Sequence, residues 1–339
     1  QIEIAKFDPA RTSIMIQSSG TTGVPKIISH SDRSAVSCVK KVVYYDLPMG
    51  RGKQLLNALP PCIAYALGQA ILYPLAVGTK VILSPTFEAD VVRKNIGKFT
   101  IAFSAPFHYR YIRDNWDQLT DKEKDSMAKV ECLVSGGDKI SAEENEQLEK
   151  LFETVIVNGY GNNEGWGALT VNPVLHNKYG TVGIPKYEDT IIAYDNDKEE
   201  EMPYGEIGEI CVLTDTIFLG YEGDEASTSN MKKMHADGKV WLHTGDLGFV
   251  DEEGFVTLKG RIRRVIIRQG FKISAYTIET KVTEHADVKE CVAVQVADDV
   301  EEHVPMIYVV LNQPNKDIEE AEKSILQKCR DELKEYEVP

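Results

Sequence analysis

Short apolar runs alternate with stretches of helical periodicity through the first half of the chain. Ser13-Ile14-Met15-Ile16-Gln17 reads as a short buried strand and Ile27-Ile28 as a second one. Ser31 offers a side-chain oxygen to cap a helix that begins near Asp32 and runs toward Tyr44. Beyond it the pattern predicts strands over 78–83, 101–104, 131–134 and 154–157, with helices over 89–98, 121–127 and 141–152 between them. Alternation at this spacing predicts an α/β layered domain with parallel strands.

After Asn172 the pattern changes. Between 190 and 257 the strands are short and separated by Gly, Asp and Glu, as over 205–212 and 255–258, which suits a distorted β-barrel or antiparallel sheet. A last unit opens near Gly260 with strands over 265–267 and 271–273, a helix over 275–284, strands over 288–296 and 306–311, and an amphipathic helix over 317–336. The expected division is therefore an α/β subdomain over 1–172, a β-rich barrel-like subdomain over 173–259 and a small α+β domain over 260–339. Gly260-Arg261-Ile262-Arg263-Arg264 is the expected joint.

Composition narrows the function classes. With 339 residues, 42% of them hydrophobic, the chain can bury more than one core. A net charge of −15 repels nucleic acid and anionic lipid, so an anionic ligand needs a local site. The six cysteines lie far apart with no CxxC pair, a spacing that suggests neither a zinc site nor a disulfide framework and fits a reducing cytoplasm. The longest apolar stretch, 63–83, is interrupted by Gly68, Gln69, Pro74, Gly78 and Lys80, so neither a transmembrane segment nor an export signal is expected. Gln1 in place of an initiator methionine, and Pro339 directly after an amphipathic run, lead us to expect a piece of a longer protein.

The densest chemistry lies in Ser18-Ser19-Gly20-Thr21-Thr22-Gly23-Val24-Pro25-Lys26, which holds two glycines, four hydroxyls and a lysine in nine residues. Glycines let backbone N–H groups approach an anion, hydroxyls donate further bonds, and Lys26 adds positive charge. The spacing is not that of the Walker loop, and the element after Lys26 reads as strand before helix. A polar hairpin turn would use many of the same letters, but it does not explain the Pro-Lys ending. Three further motifs follow in order: Ser135-Gly136-Gly137-Asp138, Asn158-Gly159-Tyr160-Gly161-Asn162-Asn163-Glu164, and Trp241-Leu242-His243-Thr244-Gly245-Asp246 ahead of Gly260-Arg261. Singly, each is also explained by a turn or a solvated charge.

Together, from Ile14 to Pro339, these motifs resemble the adenylate-forming superfamily of acyl- and aryl-CoA synthetases, peptide-synthetase adenylation domains and luciferases. The resemblance implies that Ser18, Ser19, Gly20, Thr21, Thr22, Gly23 and Lys26 hold the ATP phosphates. Gly137 and Asp138 would border the adenine and acid pocket, and Asn158, Gly159, Tyr160, Gly161 and Asn163 would form the nucleotide motif, with Tyr160 stacked on the base. Glu164 would ligand Mg²⁺, Asp246 would accept both ribose hydroxyls, and Arg261 would reach ribose or phosphate. Tyr65 would stand beside the substrate carboxylate, making Lys26, Glu164 and Tyr65 the implied catalytic set, and Arg263 falls at the hinge.

The implied reaction is ATP-dependent formation of an acyl-AMP with release of pyrophosphate, then transfer to a thiol, either CoA or the phosphopantetheine of a carrier protein. From 55 to 83 there is no Asp or Glu to hold an ammonium, which points to a fatty, aryl or other acid without an α-amine. Departures from the family pattern are Asn163 for threonine and Ile267 for lysine, which leave open a relative that binds ATP or AMP without chemistry. The resemblance implies a lysine near the end of the small domain that is expected beyond Pro339, and a first subdomain ahead of the loop that is expected outside residues 1–339. The chain as given is therefore expected to adenylate poorly or not at all.

Overall fold

The computed structural model describes residues 6–18, 25–42, 45–84, 87–268, 271–298, 301–313 and 317–339. Its centre is a seven-stranded sheet in the order Lys80–Leu83, Gln54–Asn57, Ile101–Ser104, Cys132–Ser135, Ile156–Asn162, Gly167–Val171 and Ile184–Pro185. The first five strands run parallel and the last two antiparallel. Parallel neighbours need crossovers, and the helices Pro106–Asp114, Asp121–Met127 and Ala142–Phe152 supply them.

Both faces of this sheet are covered, which is why its strands read as unbroken apolar runs. Leu56, Ala102, Leu133 and Ile156 pack with Tyr109, Ile112, Leu148 and Phe152 on one face. Leu55, Ile101, Phe103, Val134 and Val157 pack with Ala66 and Ala70 on the other. Helix starts follow the capping residues: the Ser31 hydroxyl accepts from Ser34 N at 3.1 Å and the Ser141 hydroxyl from Glu144 N at 3.0 Å.

The β-rich part is an antiparallel six-stranded sheet ordered Glu200–Glu201, Thr190–Asp195, Gly208–Leu213, Val240–Val250 and Lys232–Met234, with Val256–Arg261 also paired to Val240–Val250. A three-stranded sheet of Thr12–Gln17, Ile27–Ser31 and Gly220–Tyr221 shares its core through Ile16, Ile28, Phe218 and Leu242. The C-terminal part joins the strand pairs Val265–Arg268 with Phe271–Ser274 and Val288–Asp298 with Glu302–Leu311 to two helices, around Ile266, Ile278, Val288 and Ile325. Among the described residues no helix is long and apolar enough to cross a membrane.

Several elements differ from the sequence expectation. The helix expected over 89–98 is the single turn Val91–Lys94, because the Asn95 amide donates to Val91 O at 2.9 Å and Gly97 turns the chain at φ +84°. The strand Gln54–Asn57 and the helix Pro106–Asp114 were not in the expected set. The helix bearing Tyr65 is a wide π-type helix, Tyr65–Leu72, with Gly68 where a Cβ would lie 3.0 Å from both Cys38 Sγ and Trp166 Nε1.

Leu133 is fully buried in the middle of the central sheet. Leu133→Ala is expected to lower the unfolding free energy by about 2–5 kcal/mol, read as a lower urea midpoint with an unchanged slope. A loss below about 1 kcal/mol would contradict close packing there.

Candidate functional site

The three larger sheets converge on one cavity of about 940 Å³. The strand Ile156–Asn162 delivers Gly159, Tyr160 and Gly161 to its wall, followed by Asn163 and Glu164. Gly161 is required sterically, since a Cβ there would fall 1.6 Å from Gly167 O on the next strand.

The Tyr160 phenol donates to Asp246 Oδ2 at 2.6 Å, and Arg261 Nε lies 3.0 Å from Asp246 Oδ1. Asp246 and Arg261 are direct partners on neighbouring strands, so register alone brings the guanidinium to the carboxylate. Burial pushes the Asp246 carboxyl above its ordinary value, against the Tyr160 and Arg261 bonds that oppose the shift.

Across the cavity, Tyr221 donates its phenol to Glu164 Oε1 at 2.6 Å. Lys26 stands over the Tyr221 ring at 4.8 Å, pairs with Asp224 Oδ2 at 2.8 Å and donates to the Ser227 hydroxyl. Bonds from Lys26 and the Ser227 backbone hold the Asp224 carboxyl down to about 2. The ends of the glycine-rich loop are tied together, with Ser18 N donating to Lys26 O at 2.9 Å and Lys26 N to the Ser18 hydroxyl at 2.9 Å. Ser19, Gly20, Thr21, Thr22 and Gly23 lie outside the described residues.

The other end of the cavity is apolar. Tyr65 lines it with Leu47, Ile63, Phe103, Val134 and Val171, and burial raises its phenol pKa well above the ordinary value. Its ring packs so closely on Gly136 that a Cβ there would lie 3.0 Å from Tyr65 Cε1.

Of the residues grouped by motif, Ser18, Lys26, Tyr65, Gly137, Gly159, Tyr160, Gly161, Asn163, Glu164, Asp246 and Arg261 share this lining. Two stand outside it. Asp138 is exposed, 3.6 Å from Arg110, because Gly137 turns the chain outward at φ +85°. Asn158 is buried one residue further into the sheet than Gly159, its carbonyl accepting from Asn172 N. The Asn163 side-chain oxygen accepts from Ala64 N at 3.3 Å, which anchors the wide helix. Arg263 lies in the short turn Ile262–Arg264, and its side chain is outside the described residues. Tyr221, Asp224 and Ser227 carry no motif and were not anticipated; only the Asp-x-x-Ser capping spacing at the start of the helix Glu225–Met231 marks the last two.

His30, fully buried, contacts Asn163 O through Nε2 at 2.7 Å and meets the Trp166 ring edge-on. Burial lowers its pKa from 6.5 to about 4, so the folded protein keeps it neutral. The unfolded chain takes up this proton below pH 6.5 and the folded chain only near pH 4. Stability from this group is therefore full above pH 6.5 and falls as pH drops from 6.5 to 4. The loss is on the order of 3 kcal/mol, and His108, lowered to about 4 mainly by burial, adds in the same direction. Urea unfolding between pH 7 and 4 is expected to give a shallower pH dependence in His30→Gln than in the parent; identical slopes would contradict the buried neutral imidazole.

Residues 1–222 match the family described as AMP-binding enzyme, and residues 277–339 match the AMP-binding enzyme C-terminal domain. The chain is 27% identical over 340 residues to a 4-coumarate–CoA ligase of Humulus lupulus, covering 97% of this chain and 60% of that one. A long-chain-fatty-acid–CoA ligase of Bacillus subtilis is 29% identical over 352 residues, covering 100% of this chain and 59% of that one. An O-succinylbenzoate coenzyme A synthetase of Bacillus subtilis, solved with ATP and magnesium ion, superposes with a TM-score of 0.82 at 23% identity, covering 100% of this chain and 67% of that one, a likeness of fold. The chain thus spans 60% and 59% of the length of these two curated relatives.

Proposed function

The chain belongs to the AMP-binding enzyme family, and on that premise we propose that the protein joins a carboxylic acid to AMP at the expense of ATP and then passes the acyl group to a thiol. The observation that carries this reading is that one cavity collects Lys26, Glu164 and the Tyr160–Asp246–Arg261 cluster at one end and an apolar pocket at the other. A carboxylate is a poor acyl donor because its charge is delocalised. Its oxygen attacks the α-phosphorus, the bond to the bridging oxygen breaks, and pyrophosphate leaves. The resulting mixed anhydride carries a good leaving group for the thiol.

In this reading Lys26, with the loop from Ser18 through Ser19, Gly20, Thr21, Thr22 and Gly23, steers the β- and γ-phosphates. A phosphate would take the place of Asp224 beside the Lys26 ammonium. Glu164, whose carboxylate oxygens are hard ligands on the cavity wall, suits magnesium, and bound magnesium would neutralise charge on the phosphates. Asp246 would receive the ribose hydroxyls while the Tyr160 phenol holds it in place, with Arg261 moving to ribose or phosphate. Gly137, Gly159 and Gly161 keep the wall free of side chains where base and acyl group would lie, and Asn163 fixes the wide helix that presents Tyr65.

An apolar end without a carboxylate supports a fatty or aryl acid lacking an α-amine, with CoA as the thiol and a carrier-protein phosphopantetheine as the alternative. Rotation of the small C-terminal domain about Arg263 would admit it. The six cysteines, all free, fit a reducing cytoplasm.

The test is a full-length assay of pyrophosphate release with hydroxylamine trapping across a panel of acids. Release with at least one fatty or aryl acid is expected, and Lys26→Ala and Glu164→Gln should each reduce it by about 100-fold or more. AMP binding without release for any acid would replace this reading with a nucleotide-binding protein. Unaltered rates in the variants would remove the roles of Lys26 and Glu164.

A further inference from the structure

At the end of the cavity that Asp246 lines, a cluster that includes the lining residue His243 is not used by the proposed reaction. Cys211 and His243 are direct cross-strand partners in the six-stranded sheet, and His235 sits at the turn that follows the strand Lys232–Met234. Each of the three offers one donor atom, and these atoms all lie within 4.8 Å of one another. His235 Nε2 is 2.9 Å from His243 Nε2, and Cys211 Sγ is 3.4 Å from His243 Nδ1.

We propose that Cys211, His235 and His243 form a binding site for a divalent zinc-class cation, separate from the magnesium that Glu164 would hold. Two imidazoles and a thiol are the donor set that selects zinc over magnesium or calcium, which take oxygen. Two features suit these side chains to a cation.

The first is orientation. His243 Nδ1 lies 2.7 Å from Glu209 Oε2, and that carboxylate also accepts from Asn196 Nδ2 at 2.7 Å and Gly245 N at 2.8 Å. An imidazole that donates one N–H to a carboxylate turns a bare nitrogen the other way, the arrangement that metal-bound histidines adopt. That nitrogen faces His235, whose ring is held between Tyr194 at 4.2 Å and Trp241 at 5.0 Å, both nearly parallel to it. Two imidazole nitrogens at this separation share a single proton or a cation.

The second is charge. Cys211 is fully buried in an apolar cluster with Ile192, Tyr194 and Trp241. On binding, the thiol proton leaves to solvent, and the thiolate and Glu209 together offset the two positive charges of the ion. The buried cluster is then neutral overall, which an unpaired thiolate there could not be. Zinc bonds of about 2.0–2.3 Å in a tetrahedron require donor separations of about 3.3–3.8 Å, so the His235 and His243 nitrogens, 2.9 Å apart, open slightly on the ion while the Cys211 sulfur, 3.4 Å from His243 Nδ1, moves toward it, with water as the fourth ligand. His235 is only partly buried and gives the entry path. An ion here would pin the 232–241 hairpin to the strand that carries Thr244, Gly245 and Asp246.

The test uses the full chain stripped with a chelator and titrated with Zn²⁺ and, separately, Co²⁺. One equivalent of zinc per chain is expected by calorimetry and elemental analysis, with a rise in Tm. Cobalt should give the visible bands of a four-coordinate ion together with a thiolate-to-cobalt charge-transfer band. His235→Ala, which alters a partly exposed residue, should weaken zinc binding by about 100-fold or more and abolish both the Tm rise and the charge-transfer band. Cys211→Ala should remove the charge-transfer band alone or with binding. Should that variant fail to fold, the band in the parent and its loss in His235→Ala still identify the thiolate. Absence of stoichiometric zinc, unchanged binding in His235→Ala, or a cobalt complex without the charge-transfer band would overturn the proposal. The cluster would then be a hydrogen-bonded chain from Glu209 through His243 to His235.

Discussion

Asp246 is a buried carboxylate, and the structure around the cavity depends on how its two oxygens are satisfied. One accepts from the Tyr160 phenol at the end of the central sheet, and the other faces Arg261 at the end of the strand that leads into the small C-terminal domain. Leaving a buried carboxylate without partners would cost several kcal/mol, so the central sheet and the antiparallel sheet, as far as the end of the strand Val256–Arg261, are held in one arrangement. Two smaller contacts extend it. His30 bonds the Asn163 carbonyl and Tyr221 bonds Glu164, which fixes the N-terminal three-stranded sheet against the end of the same motif.

The same economy of charge explains how a protein of net charge −15 can present a site for a polyphosphate. Three cations at the cavity are held by carboxylates, Lys26 by Asp224, Arg261 by Asp246 and Arg264 by Glu279, while Lys233 donates to the Asn196 side-chain oxygen. These pairs are partly solvated, so an incoming anion exchanges one partner for another instead of stripping bare charges of water. Local exchange of this kind suits a mobile anionic substrate better than a broad positive surface, which the global charge excludes.

Much of this was legible from the chain. The apolar runs of the central sheet, the change of character after Asn172, and the motifs around Lys26, Tyr160 and Asp246 all rest on local spacing, which is what a sequence displays. Asp138 and Asn158 are grouped with the site by the resemblance of their motifs; a positive-φ glycine sends the first outward, and the second lies deeper in its strand. The partners of Lys26 could not be read, because Asp224 and Ser227 lie about two hundred residues away and meet it only through the pairing of Gly220–Tyr221 with Ile27–Ser31. Cys211, His235 and His243 escaped for the same reason: their spacing follows no metal motif, and the sheet register brings them together. Wide helical turns such as Tyr65–Leu72 have no sequence period distinct from an ordinary helix.

The proposed role of Asp246, held by Tyr160, as the ribose acceptor is tested by comparing the binding of ATP with that of 2′,3′-dideoxy-ATP in the parent and in Asp246→Asn. The parent is expected to prefer ATP by about 10- to 100-fold, the worth of one or two hydrogen bonds to a charged acceptor, and Asp246→Asn to lose most of this preference. Equal binding of the two nucleotides by the parent, or an undiminished preference in Asp246→Asn, would contradict it.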